Sequence, residues 1–308
     1  MAGQGILFLY PFKERKDNMA EKCFTRMGQI GIAVSDIKRA GEVCKGYGMG
    51  PMRSFITTDK SMQECELYGE KVDKMRFGTL MYEMDGVTFE LLEPQENTIW
   101  SDFIENQGEG VCDIMFTPTP RYYEVLKERN VPELMKFTLY NHTFEVGSTF
   151  RQVMRMHGTR KDLGFNIFSF DQTEDTKQRV YPDDNIKTGA YVLLEDGTEE
   201  HLRTPKYVRI EKILVVVDRL EETRAAYEAF GFEELSEIEE IDGKYNMFFF
   251  YQNTDGKSVR FEVIEPIDSK TPYGIFLEKY GRGVYNVIFE QNPEYNNVIE
   301  TMTAQGKL

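Results

Sequence analysis

The chain has 308 residues, a length that accommodates about two ordinary domains, and 41% of them are hydrophobic, enough to build ordinary cores. Its 37 basic and 52 acidic residues leave a formal charge of -15, which opposes a phosphate backbone and excludes nucleic acid as a main partner. No apolar run approaches the roughly 20 residues of a membrane span, and Ile6 to Tyr10 is too short for a signal segment, so no membrane partner is expected and the cytoplasm is the expected compartment. The four cysteines, Cys23, Cys44, Cys65 and Cys112, show no CxxC spacing, so reduced thiols are expected rather than a zinc knuckle or a disulfide framework.

Residues 1–26 mix an apolar patch with charge and read as a tail or an added edge segment. From Gln29 to Val34 polar or small residues alternate with Ile30, Ile32 and Val34, the period of a strand whose apolar face takes a helix and whose other face leaves space. Asp36 is placed to cap a helix carrying Ala40, Val43, Cys44 and Tyr47, which Gly48 and Gly50 stop. The polar stretch 57–74 follows, with one uncertain strand, and then Phe77 to Met84 and Val87 to Leu92 read as strands around an Asp85-Gly86 hairpin turn. Alternation puts Glu90 on the open face of its strand, opposite Phe89 and Leu91.

The stretch from Phe89 to Phe116, FELLEPQENTIWSDFIENQGEGVCDIMF, returns as FEVIEPIDSKTPYGIFLEKYGRGVYNVIF from Phe261 to Phe289. A fixed-order repeat with one extra residue in a loop marks a duplicated structural unit. A second module opens at Val111 with Cys112-Asp113-Ile114, and Pro118 and Pro120 introduce its helix. Strands are expected at 134–140, 150–157 and 163–170. Residues 171–206 are charged and turn-rich and read as a linker with one strand at 191–194. A third module begins at Tyr207, with Asp218 and Glu221 spaced as a capping box for a helix to Phe230. A fourth module, from Val284, has room for one strand and one helix. The expected fold class is α+β, with paired βαβββ modules forming cup-shaped mixed sheets, duplicated into two domains at 27–170 (modules 27–94 and 110–170) and 207–308.

Through QIGIAVSDI, YGEKVDKMRFGTLMY and the Phe89 to Phe116 stretch, the chain resembles the vicinal-oxygen-chelate superfamily, which includes glyoxalase I and bleomycin-resistance proteins. The resemblance is strongest to the methylmalonyl-CoA epimerase-like branch over 27–170, and looser over 207–308. It implies two glyoxalase-like domains and a cup into which the first and last strands of each module point ligands for a divalent ion. Carried over to this chain, the four cup positions are Gln29, Glu90, Asp113 and Asn166. The second domain matches at Glu211, Glu262 and Asn286. The histidines of the family pattern are absent, and the places of the epimerase acid and base hold Thr79 or Leu80 and Asn166.

Gln29, Glu90, Asp113 and Asn166 form an all-oxygen set, which suits magnesium, manganese or calcium better than zinc; the alternative is no metal. Without metal, two carboxylates on facing strands can move a proton next to a carbonyl. Glu90 and Asp113 are therefore the first candidates for catalysis, and His157 is a third. Gln29, Asn166, Tyr82 and His142 are candidates for contacting substrate. The resemblance implies an isomerase, epimerase or lyase acting on a small carbonyl compound or acyl thioester, with a homodimer as the expected assembly. The alternative is a non-catalytic binding protein that sequesters a small molecule. The glycines Gly108 and Gly110 form a turn before a strand and not a phosphate loop, since no helix follows.

Overall fold

A computed structural model describes residues 22–50, 52–57, 62–142, 149–171, 191–193, 199–201 and 206–305. Strand β1 (Phe24–Ala33) leads into helix α1 (Ile37–Gly46), followed by β2 (Arg53–Ile56), β3 (Met62–Leu67), β4 (Glu70–Lys71), β5 (Phe77–Met84) and β6 (Val87–Pro94). Helix α2 (Ile99–Gln107) connects to the second module, made of β7 (Gly110–Pro118), α3 (Pro120–Glu128), β8 (Glu133–His142), β9 (Thr149–His157), the single turn α4 (Arg160–Leu163) and β10 (Asn166–Asp171). A separate hairpin, β11 (Tyr191–Leu193) and β12 (Glu199–His201), precedes the third module: β13 (Tyr207–Val216), α5 (Leu220–Ala229), β14 (Glu239–Ile241), β15 (Tyr245–Gln252) and β16 (Val259–Pro266). Then come α6 (Pro272–Tyr280), β17 (Gly283–Gln291) and α7 (Tyr295–Ala304).

Local chemistry accounts for most boundaries. The Asp36 carboxylate accepts from Arg39 N at 2.9 Å and caps α1. Thr98 and Ser101 form a reciprocal capping box at the start of α2, and Pro120 occupies the first helical position of α3. Asp85 and Gly86 both have positive φ, 45° and 81°, as a tight hairpin between β5 and β6 requires. One expected cap is different. Arg219, not Asp218, precedes α5 and makes no side-chain cap, because the Asp218 carboxylate is taken by the Arg282 guanidinium.

The first two modules form one mixed sheet of ten strands in the order β2-β5-β6-β1-β7-β10-β9-β8-β3-β4. The modules join where β1 and β7 run antiparallel. The stretch 57–74, expected to hold one uncertain strand, supplies the β3–β4 hairpin. Although this hairpin belongs to the first module, β3 pairs with β8 of the second, with Met62 opposite Leu139 and Leu67 opposite Met135. The rim of the second module is thus extended by a segment of the first.

Two cores lie on the two faces of this sheet. The concave face holds Trp100, Phe77, Phe137, Phe168 and Phe170 with Met62, Met115, Met135, Met154 and Met156. The convex face holds Ile30, Ile114, Phe116 and Ile167, and these continue without a break into Ile213, Val215, Phe261 and Val263 of the five-stranded sheet β14-β15-β16-β13-β17. The second unit therefore packs on the back of the first. Phe24 meets Phe232 at 5.4 Å between ring centroids and Phe165 meets Phe261 at 6.0 Å, and the Tyr227 hydroxyl donates to Leu163 O at 2.8 Å. Each fully buried ring of this kind contributes on the order of 2 kcal/mol over leaving it exposed.

Candidate functional site

Strands β6, β1, β7 and β10 lie side by side at the centre of the large sheet. Their registers place Glu90 opposite Gly31, Gly31 opposite Asp113, and Asp113 opposite Asn166. Residues directly opposite one another share a face, so four strands present carboxylate, glycine, carboxylate and amide in one row on the concave side. Gly31 is what lets the carboxylates share that row. A Cβ built there would stand 2.5 Å from Asp113 Oδ1 and 2.8 Å from its Cγ, so the Asp113 carboxylate lies over the bare glycine, on the Glu90 side of its own strand.

Asp113 is 1% exposed. Its Oδ2 accepts from the Trp100 indole Nε1 at 3.0 Å and from the Cys112 thiol at 3.0 Å. Its Oδ1 is buried with no hydrogen-bond partner among the described residues. Burial pushes the Asp113 carboxyl above the usual aspartate range, outweighing the two donors that pull it down. Glu90, 7% exposed, accepts from the Gln29 side-chain amide. One carboxylate thus stands at the floor of the cup under an indole, and the other stands beside an amide two residues along β1.

The expected fourth member of the set falls elsewhere. The antiparallel pair β1–β7 has Ile30 opposite Ile114, so a two-fold through that pair relates Gln29 to Asp113 and Gly31 to Met115. Glu90 lies opposite Gly31 and Phe168 lies opposite Met115. The counterpart of Glu90 is therefore Phe168, and Asn166 corresponds to Thr88. Asn166 sits beside Asp113, where its Oδ1 accepts from Arg160 N at 3.3 Å.

This geometry bears on a metal. Gln29, Glu90 and Asp113 are the donors on three of the four related positions, and the fourth position is an aromatic ring. Phe168 packs against Trp100 and Phe137, with centroids 6.4 and 6.2 Å away. A hard cation bound by two carboxylates and an amide would have to keep the rest of its shell as water within a lining of Trp100, Phe168 and Met115. The residues present do not fit a four-ligand ion, and no group of three His, Cys, Asp or Glu converges for one among the described residues.

Two other expected residues face away from the cup. Tyr82 is opposite Phe89, on the convex face, and its hydroxyl donates to Tyr207 O of the second unit at 3.1 Å. His157 is opposite Ile167, also on the convex face, where Nδ1 bonds the Tyr122 hydroxyl at 2.9 Å. Burial lowers its pKa to about 4, so it is neutral near pH 7. In both cases strand alternation, counted from the neighbour, places the side chain one residue off the open face. His142 ends β8; its side chain lies outside the described part of the structure.

The second unit repeats the row with different chemistry. Leu214 is opposite both Glu262 and Asn286, so Leu214 takes the place of Gly31 and Lys212, not Glu211, that of Gln29. The Glu262 carboxylate is 3.2 Å from Lys212 Nζ and 2.8 Å from Arg260 Nε, and Asn286 is exposed. The carboxylate is kept but neutralised. Sequence reasoning passed over Trp100 and Phe168. The signal for the first was available, since the only tryptophan sits at the start of a helix just after a Thr98 cap.

No protein-family model matches the chain. Residues amounting to 26% of the chain are 32% identical to the uncharacterized protein YqjC of Bacillus subtilis (strain 168) over 82 residues. The chain spans 56% of the length of that curated relative. Among solved structures, a mutant of 4-hydroxymandelate synthase from Streptomyces coelicolor superposes over 92% of this chain and 81% of its own, with a TM-score of 0.51 and 16% identity. Methylmalonyl-CoA epimerase from Mycobacterium tuberculosis aligns over 49% of this chain and 91% of its own, at 14% identity and a TM-score of 0.34. The first of these carries the fold: a two-unit arrangement of paired βαβββ modules with open mixed sheets.

Proposed function

The chain has the fold of the vicinal-oxygen-chelate superfamily, and from that premise we propose that its first unit is an enzyme site that moves a proton next to the carbonyl of a small molecule or acyl thioester, as an isomerase or epimerase does. The observation that carries this reading is the unpartnered, buried Oδ1 of Asp113 in a row with Glu90. Burial shifts Asp113 toward its neutral form, and in that form the proton sits on Oδ1, since Oδ2 accepts from Trp100 and Cys112. A neutral carboxylic acid at that place donates to a carbonyl oxygen and stabilises the enolate as charge develops there. Glu90, oriented by the Gln29 amide, takes the proton from the adjacent carbon and returns it. Trp100, Phe168 and Met115 exclude water from the same volume. No step passes through a metal.

The test is solvent exchange. With the protein in deuterium oxide and a panel of chiral 2-substituted carbonyl compounds and acyl thioesters, a substrate incorporates deuterium at the carbon next to the carbonyl. Glu90→Gln and Asp113→Asn each slow this by about 10²- to 10⁴-fold. A panel that binds without exchange would sink the reading.

A second reading is favoured by one observation. The core packed on this face is rich in methionines and aromatic rings, Met115, Met135, Met154, Met156, Trp100 and Phe137, side chains that can repack around an apolar ligand. In a sequestering protein of this kind, Glu90→Gln leaves affinity for such ligands intact and no exchange occurs in either protein.

A further inference from the structure

The concave face of the second unit turns away from the first, because the convex faces of the two units share one core. On that outward face lies an open cavity of about 760 Å³, within the range of roughly 300–1,000 Å³ usual for small-molecule sites. Lys212, Arg260 and Tyr251 are consecutive neighbours across β13, β16 and β15, and Arg209 and Lys257 join them in lining the cavity. Four cations thus face one hollow on a chain whose formal charge is -15. Among the described residues, five carboxylates lie at or beside this hollow, and most are already engaged: the Asp85 carboxylate of the first unit accepts from Lys257 N at 3.0 Å. Glu211 lines the cavity, Glu262 is shared between Lys212 and Arg260, Glu290 pairs with Arg209, and Asp255 is turned to Arg26 of the first unit.

The aromatic groups are arranged as well. The Arg260 guanidinium lies 3.9 Å from the centroid of the Phe249 ring, which holds it flat and pre-oriented. Tyr251 stands edge to face with Phe249 at 6.1 Å and is 53% exposed, an open ring beside a fixed cation. Lys257 is exposed at the rim; its backbone N donates to Asp85 Oδ2 at 3.0 Å, and its ammonium makes no ion pair among the described residues.

We propose that this cavity binds a small polyanion bearing a planar ring, of the nucleoside diphosphate class, with the phosphates against Lys257, Arg209 and Lys212 and the ring on Tyr251. Charge-assisted contacts to phosphate oxygens supply the affinity, and stacking on the tyrosine distinguishes the ligand from a bare phosphate. The site is separate from the Glu90 and Asp113 row, and its test reads binding alone.

Isothermal titration of the full chain at low salt, with ADP, pyrophosphate and adenosine as probes, is the experiment. ADP binds saturably and more tightly than pyrophosphate, and adenosine binds more weakly than either. Lys257→Glu weakens ADP by about tenfold or more, and Tyr251→Ala brings ADP down to the pyrophosphate affinity without changing pyrophosphate. Absence of saturation with both ADP and pyrophosphate overturns the site, as does undiminished ADP binding by Lys257→Glu. Equal affinities for ADP and pyrophosphate in the unsubstituted protein overturn the ring assignment.

Discussion

Gly31 and Asp113 are partners across β1 and β7, and the carboxylate of Asp113 fills the space where any other residue at 31 would place its Cβ, 2.5 Å from Oδ1. Gly31→Ala therefore pushes the Asp113 carboxylate off its place over the strand. Overpacking of this sort costs about 1–3 kcal/mol, read as a lower urea midpoint. In a double-mutant cycle with Asp113→Ala the two costs do not add, because removing the carboxylate makes room for the methyl group. Simple additivity would count against the contact.

Asp113→Asn tests the buried carboxyl. An unfolded aspartate loses its proton near pH 3.8, and the buried one retains it to higher pH. Above 3.8 the folded state binds more protons than the unfolded state, so stability falls as pH rises until the folded pKa is passed. The Asn variant lacks that fall. It gains stability relative to the unsubstituted protein toward neutral pH, and the two converge near pH 4. Urea titrations at several pH values measure it; parallel pH profiles would show that Asp113 is ionised throughout.

His157 runs the opposite way. Its unfolded pKa of 6.5 drops to about 4 in the fold, so between those values the unfolded state takes up a proton that the folded state refuses. Stability is full above about pH 6.5 and declines by about 3 kcal/mol as pH falls toward 4. His157→Gln, which can still bond Tyr122, flattens that decline. Because the ring is on the convex face, deuterium exchange by the cup at pH 7 is unchanged in this variant; a loss would place His157 in the reaction after all.

Phe168 at the position related to Glu90 predicts indifference to divalent ions. An ion present at 100 times its Kd would stabilise the fold by about 2.7 kcal/mol, a shift of several degrees in Tm. Magnesium, manganese and calcium at millimolar concentration are expected to leave Tm unchanged, and dialysis against a chelator is expected to leave solvent exchange intact. A shift lost in Glu90→Gln would show that three donors suffice.

Much of the architecture is legible in the residues. The alternation from Gln29 to Val34, the Asp36 cap, Pro120 and the Asp85-Gly86 turn are local signals, and each appears where its chemistry puts it. The repeat gave the paired modules. What could not be read is relational. The resemblance gives Asn166 as the fourth cup position, and only the β7–β10 register reveals that Phe168 stands at the place related to Glu90. Lys212 was hidden in the same way, one residue from Glu211, behind a shift in the pairing of β13 with β17. Asp218 had the spacing of a cap but a distant guanidinium claims it. The glycine that makes room for Asp113 carries no side chain, and so no signal of its own.

The hairpin of β3 and β4 ties the two halves of the first unit together in time as well as in space. The strand at 62–67 pairs locally with β4, but it joins the large sheet only when 135–139 has formed, so a nascent first half cannot dock its own hairpin. Such non-local pairing slows folding and makes the closing step depend on both halves at once. The row of Glu90 and Asp113 is thus a late and cooperative product of assembly, and a fragment ending between the modules would lack Asp113 altogether.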